Sequence, residues 1–319
     1  MIAVLCGGVG AARFLAALAG VVDPADTIGI VNIADDTVLH GLAISPDLDT
    51  VTYTLANAID PDRGWGLSDE SWRAMESLQR YANVRPQRSA AAPTWFNLGD
   101  RDLATHFYRT ARLGEGATLS EVTAEICAAW NVEQRLVPMS DQIVSTAVTL
   151  ADGSDVSFQE YFVKLHHGVA VTAVRFVGAS EAALAPGLDE ALKTAECVVI
   201  APSNPIVSIG PIRALAEVDP ILAGRRSSVV AISPIVGGAA LKGPADRMLH
   251  ELGHESSVVG VARLYAPIAA TLVIDPVDAH LASAVEDAGM RAVITPSVMS
   301  NPEIGMELAR VSLRAASAQ

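Results

Sequence analysis

Apolar positions along the chain fall into short, mostly continuous runs: "MIAVLC" from residue 1, "TIGIVNI" from 27, "CVVIAP" from 197, "SVVAISP" from 228, "SSVVGVA" from 256, "TLVID" from 271 and "RAVITP" from 291. Runs without alternation predict strands buried on both faces of a parallel sheet. Helix-period segments separate many of them, at 11–20, 48–58, 181–194, 209–218, 243–253, 277–288 and 301–316. This alternation predicts an α/β fold, a doubly wound Rossmann-like parallel sheet whose ligand lies at the C-terminal ends of its strands.

The middle of the chain breaks the pattern. Residues 66–137 are more polar, with helical periodicity at 69–82, 102–113 and 119–130, and "PQRSAAAP" (86–93) has loop composition. The stretch 143–163 then alternates, with Asp152-Gly153 as a hairpin turn, and 169–177 continues it. The expected organisation is a nucleotide-binding core of 1–65 and 138–319 with a largely helical insertion at 66–137. An antiparallel patch leads back into the core sheet.

The first strand runs into "GGVGAARFL". The dinucleotide fingerprint needs Gly-x-Gly-x-x-Gly, but Gly8 and Gly10 are followed by Arg13 where the third glycine belongs. No Gly-Lys-Ser/Thr follows either, so a Walker loop is excluded. A nicotinamide oxidoreductase is therefore disfavoured. What remains is a strand, a tight turn and a helix N-terminus, whose free N–H groups suit an anion. Two further loops follow predicted strands. "APSNPIVSIGPIRAL" (201–215) carries Ser203, Asn204, Ser208 and Gly210. "SPIVGGAALKGPADRML" (233–249) carries Gly237, Gly238, Lys242 and Gly243. In this fold the three loops converge on one crevice.

An acidic cluster accompanies them: Asp35, Asp36, Asp47 and Asp49 lie within one otherwise apolar segment. Asp47 or Asp49 suits an N-cap of the following helix. The others suit a hard divalent cation, which takes one or two carboxylates plus phosphate oxygens and water. Asp35 is the less favoured of the first pair, because neighbours in an extended chain face opposite ways. "WFNLGDRDLATH" (95–106) sets Arg101 between Asp100 and Asp102, as a local ion pair or a clamp for an anionic group. Ser140 and Asp141 mark a turn, and His166-His167 has no second ligand cluster. Neither a nucleophile elbow nor HExxH is present.

Composition narrows the function. The 319 residues are 50% hydrophobic with a net charge of −14. No basic footprint exists, which argues against nucleic acid as the main partner. Positive charge for a phosphorylated ligand has to be local. Cys6, Cys127 and Cys197 lie far apart and are expected as buried thiols of a reducing cytoplasm. Neither a leader peptide nor a membrane span is expected.

Taken together, "GGVGAARFL", "NIADD", "HGLAISPDLDTV", "DRGWG", "WFNLGDRDLATH", "FQEYFV", "PSNPIVSIGPI" and "SPIVGG" resemble the 2-phospho-L-lactate transferase family of coenzyme F-420 biosynthesis. The resemblance implies a Mg2+-dependent transferase, often dimeric. Its acceptor is the deazaflavin Fo, and its donor is a guanosine diphosphate esterified to lactate or enolpyruvate. The Fo ribitol hydroxyl takes the phospho-acid group and GMP leaves. On this basis Asp36 and Asp49 are the expected catalytic and Mg2+-holding residues. Asp49, Arg101 and Trp95 are expected at the acceptor, under a lid formed by 66–137. Gly8, Gly10, Ser203, Asn204, Ser208, Gly210, Gly238 and Lys242 are expected at the nucleotide. The alternative is a non-catalytic UDP-sugar-binding regulator of the same fold, against which "DLDT" and "GWG" argue. The stretch "NVRPQRSAAAP" before Trp95 is longer than the family pattern needs, and the residues alone leave lactate, enolpyruvate and glycerate open as the transferred acid.

Overall fold

The computed structural model describes residues 1–87, 89 and 91–317. Its strands are β1 (Ile2–Cys6), β2 (Thr27–Val31), β3 (Thr37–Leu39), β4 (Leu42–Ile44), β5 (Arg135–Pro138), β6 (Ser145–Leu150), β7 (Asp155–Ser157), β8 (Val171–Val177), β9 (Cys197–Ile200), β10 (Val229–Ile232), β11 (Ile235–Val236), β12 (Ala239–Ala240), β13 (Thr271–Ile274) and β14 (Arg291–Ile294). The helices are α1 (Gly8–Ala19), α2 (Pro46–Leu55), α3 (Arg73–Ala82), α4 (Asp102–Gly114), α5 (Leu119–Ala129), α6 (Leu188–Thr194), α7 (Gly210–Arg213), α8 (Val218–Gly224), α9 (Ala245–Glu251), α10 (Val258–Tyr265), α11 (Ala282–Asp287) and α12 (Pro302–Ser317).

Seven strands form one parallel sheet in the order β14-β13-β10-β9-β1-β2-β5. From β1 the chain winds outward through β2 to β5, then returns to β9 and winds the other way. The direction reverses between β1 and β9, which is where an open α/β sheet leaves a crevice beyond its strand ends. Strands β1, β2, β9, β10 and β13 are buried along their whole length, which is why their sequences do not alternate. A second sheet, β7-β6-β8, is antiparallel, and Gly153 at φ 82 makes its hairpin turn.

Several elements differ from the expected pattern. "SSVVGVA" is helix α10, not a strand: Ser257 caps it by accepting from the Val259 and Gly260 N–H groups, and the helix is buried nearly all round. A continuous apolar run has the same signature in a buried helix as in a buried strand. The segment 209–218 divides into α7 and the start of α8. Residues 181–194 become helical only at Leu188, after Gly187 at φ 82. The 143–163 patch stops being a strand at Ser157, and Glu160–Lys164 forms a turn of π-helix.

The short hairpin β3–β4 turns on His40 and Gly41, both at positive φ, as a type I′ turn requires. It packs with α3 and the segment around Leu98 into a small separate core of Leu39, Ile44, Met75 and Leu98. By contrast β5, placed in the insertion by sequence, pairs with β2 as the sheet's edge strand, and α5 packs on it. The boundary drawn at 137/138 thus falls inside a strand of the main sheet. Arg88 and Ala90 of the 86–93 loop lie outside the described residues. Among those described, no helix is long and apolar enough to cross a membrane.

Candidate active site

The crevice is built from the ends of β1, β2 and β9. After β1 the chain turns at Gly8, φ 70, into α1. Gly7 leaves no room for a side chain, since a Cβ there would lie 2.7 Å from Ser208 Cβ. At Gly10 a Cβ would overlap the Pro202 carbonyl oxygen. The second glycine therefore lets α1 lie against the loop after β9. Ser203 ties the two loops together, donating to the Gly7 carbonyl at 2.8 Å. Asn204 shapes its own loop by accepting from the Ile206 N–H.

Asp47 closes this corner. Its carboxylate accepts from the Asn32 side-chain amide at 2.9 Å and from the Gly8 backbone N–H. A protein carboxylate thus already faces the N-terminus of α1, the place predicted for an anionic ligand. The same Asn32 amide reaches Asp35 at 3.2 Å, so one side chain bridges two carboxylates. Gln159, next to the π-helix turn, fixes the Asp35 carbonyl from the other side at 3.1 Å. Burial, with the nearby charges of Asp47 and Asp36, raises the Asp35 pKa well above the ordinary carboxylate value. Burial pushes Asp47 to about 6. Asp36 is also raised by burial, against the opposing Ser45 hydroxyl, which donates at 2.6 Å, and the charge of Arg109. Asp36 Oδ1 is shielded from solvent without a hydrogen-bond partner, whereas the buried Thr146 hydroxyl lies close enough to Asp35 to favour its ionised form.

Asp49 sits differently. Arg109, almost wholly buried, grips both of its oxygens. Helix α4 delivers Asp102, His106 and Arg109 on one face (positions i, i+4 and i+7), and α2 meets it with Asp49 and Tyr53 (i and i+4). Tyr53 donates to Asp102 at 2.6 Å, and His106 lies between the two acids, 3.7 Å from Asp49 and 3.3 Å from Asp102. Burial opposes the Asp102 charge, yet His106, Tyr53 and Arg109 hold its pKa below the ordinary value. Burial opposes the Arg109 charge too, and Asp49 outweighs it. Asp49, Asp102 and His106 bring three possible metal-ligand atoms within 4.8 Å of one another. Arg109 already supplies a positive charge there, whereas Asp36 keeps an unpartnered oxygen.

The remaining expected residues divide. Lys242 is exposed and reaches the Arg63 carbonyl at 3.4 Å. A Cβ at Gly64 would stand 2.8 Å from its Nζ and 3.4 Å from Val9 of the first turn, so the loop around residue 64 comes down beside both. A Cβ at Gly210 would lie 2.9 Å from the Phe176 ring, and Gly238 takes φ 82 in the turn between β11 and β12. Trp95 makes an edge-on contact with Phe96 and lines a cleft of about 490 Å³ with Thr37, His40, Arg85, Glu160 and Lys164. Thr37 in its wall directly follows Asp36 in the chain. Arg101 is exposed; it donates to the Ser68 carbonyl at 2.7 Å rather than pairing with its acidic neighbours.

Asn32, Tyr53, His106 and Arg109 escaped the sequence reading. The one available signal was periodicity, since polar residues three and four apart in "DLATHFYR" occupy one buried helix face.

The model of the family described as 2-phospho-L-lactate transferase CofD matches residues 2–298. A protein of Kitasatospora aureofaciens named phosphoenolpyruvate transferase is 42% identical over 317 residues, covering 98% of this chain and 96% of its own. One of the same name from Mycolicibacterium smegmatis is 39% identical, covering 98% and 99%. Among solved structures, a UPF0052 family protein of Bacillus halodurans shares the fold, with a TM-score of 0.61 at 14% identity over 98% of each chain. With the family model spanning nearly the whole sequence and relatives above 40% identity, the chain belongs to the 2-phospho-L-lactate transferase family.

Proposed function

We propose that this chain moves a phosphoenolpyruvyl group from a guanosine diphosphate donor to the terminal ribitol hydroxyl of Fo, releasing GMP, in coenzyme F-420 biosynthesis. Enolpyruvate is preferred to lactate or glycerate because full-length relatives at about 40% identity carry the name phosphoenolpyruvate transferase. In the reaction the ribitol hydroxyl gives up its proton, which ends in solvent, as its oxygen bonds the distal phosphorus; the bridging P–O bond breaks, and GMP carries away the bridging oxygen with its electron pair. Such a transfer needs charge neutralisation and in-line placement more than covalent help.

The observation that carries the reading is the set of buried carboxylates at the switch point. Asp35 and Asp36 have raised pKa values and Asp36 keeps an unpartnered oxygen, which is costly unless something positive completes the site. They fit a Mg2+ ion, with Asp36 the principal ligand. Asp49 contributes by sharing an oxygen that Arg109 now holds. When bound, Mg2+ supplies neutralisation of the donor phosphates. Arg109 fixes Asp49 and adds positive charge beside Asp36. Lys242 reaches the donor diphosphate from the far side of the first turn. The cleft beside Thr37 receives the acceptor, with Trp95 along its wall and Arg101 at its approach.

The test is direct. Purified protein is incubated with Fo, Mg2+ and each guanosine diphosphate donor in turn, and products are identified by mass. Formation of the enolpyruvyl phosphodiester of Fo with one GMP per turnover is expected. Absence of any Fo product with all three donors refutes the proposal.

A further inference from the structure

The "DRGWG" loop has no place in the chemistry above, yet it is one of the most tightly built parts of the surface. Trp65 stands between Gly64 at φ 74 and Gly66 at φ 69. Both are left-handed conformations that side chains resist, so the backbone on either side of the indole is fixed by residue type. The loop is closed by Gly64 N–H to the Asp60 carbonyl at 2.9 Å and Asp60 N–H to the Gly66 carbonyl at 3.1 Å. The Arg63 guanidinium lies 5.3 Å from the Trp65 ring centre and 5.0 Å from that of Trp72. Arg63 is itself held by Asp60 at 3.1 Å, Glu70 at 3.5 Å and the Leu67 carbonyl at 2.9 Å.

Despite this support, Trp65 is 42% exposed. A loop free to relax would bury its indole, which is among the largest apolar groups available. Its neighbour Gly64 lies against Lys242 and Val9, which brings the loop that carries the indole to the rim of the first glycine turn.

We propose that the exposed indole of Trp65 is a stacking platform for the flat heteroaromatic ring of a substrate. The inference rests on the reading that this crevice binds a guanine nucleotide and a deazaflavin. Both rings present the π-face that such a platform recognises, and stacking of this kind does not depend on hydrogen-bond readout. Arg63 and Trp72 hold the indole in place before the ligand arrives, so little order has to be created on binding.

The experiment measures calorimetric Kd values of GDP, pyrophosphate and Fo with wild type, Trp65→Ala and Trp65→Phe, each checked for an unchanged melting temperature. Trp65→Ala is expected to raise the Kd of one ring-bearing ligand by about tenfold or more and to leave pyrophosphate within about twofold. A loss confined to GDP identifies a nucleobase as the stacked ring, and a loss confined to Fo identifies the deazaflavin. Trp65→Phe, which keeps a flat ring, is expected to recover most of the affinity. Unchanged GDP and Fo binding in Trp65→Ala overturns the proposal, as does an equal loss for pyrophosphate. A wild type that binds neither GDP nor Fo overturns the functional reading and the platform with it, whereas wild-type binding with an indifferent alanine variant overturns the platform alone.

Discussion

Replacing Asp47 by asparagine isolates the electrostatic cost of the site. Burial raises the Asp47 pKa from 3.8 to about 6, so the folded protein binds this proton more tightly than the unfolded chain does. For a raised pKa the stabilisation is complete below about pH 4 and is lost as pH climbs through about 6. Above that, ionised Asp47 costs the fold about 3 kcal/mol, from about 1.4 kcal/mol per pKa unit. An asparagine side chain carries no charge, and its carbonyl can still accept from Asn32 and from the Gly8 N–H. Weakening two bonds to a charged acceptor takes back about 1 kcal/mol. Metal-free Asp47→Asn should therefore be about 2 kcal/mol more stable than wild type at about pH 8, a melting temperature higher by roughly 4 °C, and the gap should narrow as pH falls through about 6 and close only near about pH 4. Thermal and urea unfolding in EDTA across that range measure it. A gap of equal size at both ends, or a variant less stable at the alkaline end, would refute the assignment of the cost to this carboxylate.

Asp36→Asn, and EDTA treatment of wild type, should each lower turnover by about a hundredfold or more in the product-mass assay. Near-normal rates would reduce Asp36 to the bond it accepts from Ser45. Calorimetry should show GDP binding well above NAD and binding more tightly with Mg2+ than in EDTA; equal affinity for NAD would remove the nucleotide assignment of the first turn. Arg101→Lys should keep GDP affinity while kcat/KM for Fo falls by roughly one to two orders of magnitude, the equivalent of about 1.5–3 kcal/mol for a lost charge-assisted bond. An unchanged value would leave Arg101 only its bond to the Ser68 carbonyl, which a lysine can imitate.

The sheet was legible because burial on both faces removes the need for alternation, and β1, β9, β10 and β13 show that directly. The same property hid α10, since a helix with Arg263 as its one exposed residue has too narrow a polar face to reveal its period. Strand β5 was missed for the opposite reason: four residues beginning with an exposed Arg135 and ending in Pro138 carry too little pattern. In the site, the aspartates were visible as charges in an apolar segment. Their partners were not, because Arg109 meets Asp49 across 60 positions of sequence. The role of Gly10 was also hidden. Sequence marks a glycine where backbone must come close, but does not say whether the close neighbour is a phosphate or, as here, the Pro202 carbonyl.

The placement of Asp47 carries the argument one step further. The N-terminus of α1 attracts an anion, as its free N–H groups predict, but the anion present is the protein's own carboxylate. A diphosphate approaching Gly8 meets negative charge on Asp47, with Asp35 behind it on the shared Asn32 amide. Two anions cannot occupy that corner unless a proton or a cation separates them. Arg109 does not serve, because both its terminal nitrogens are committed to Asp49. Lys242 offers one charge from the exposed side. On the proposed reading, a bound cation supplies the remaining positive charge in this protein of net charge −14, with the unpartnered Asp36 oxygen among its ligands. On that reading, nucleotide binding in Asp47→Asn is expected to depend less on Mg2+ than in wild type, and by linkage the nucleotide tightens the cation by the same factor as the cation tightens the nucleotide; equal Mg2+ dependence in the two would refute it.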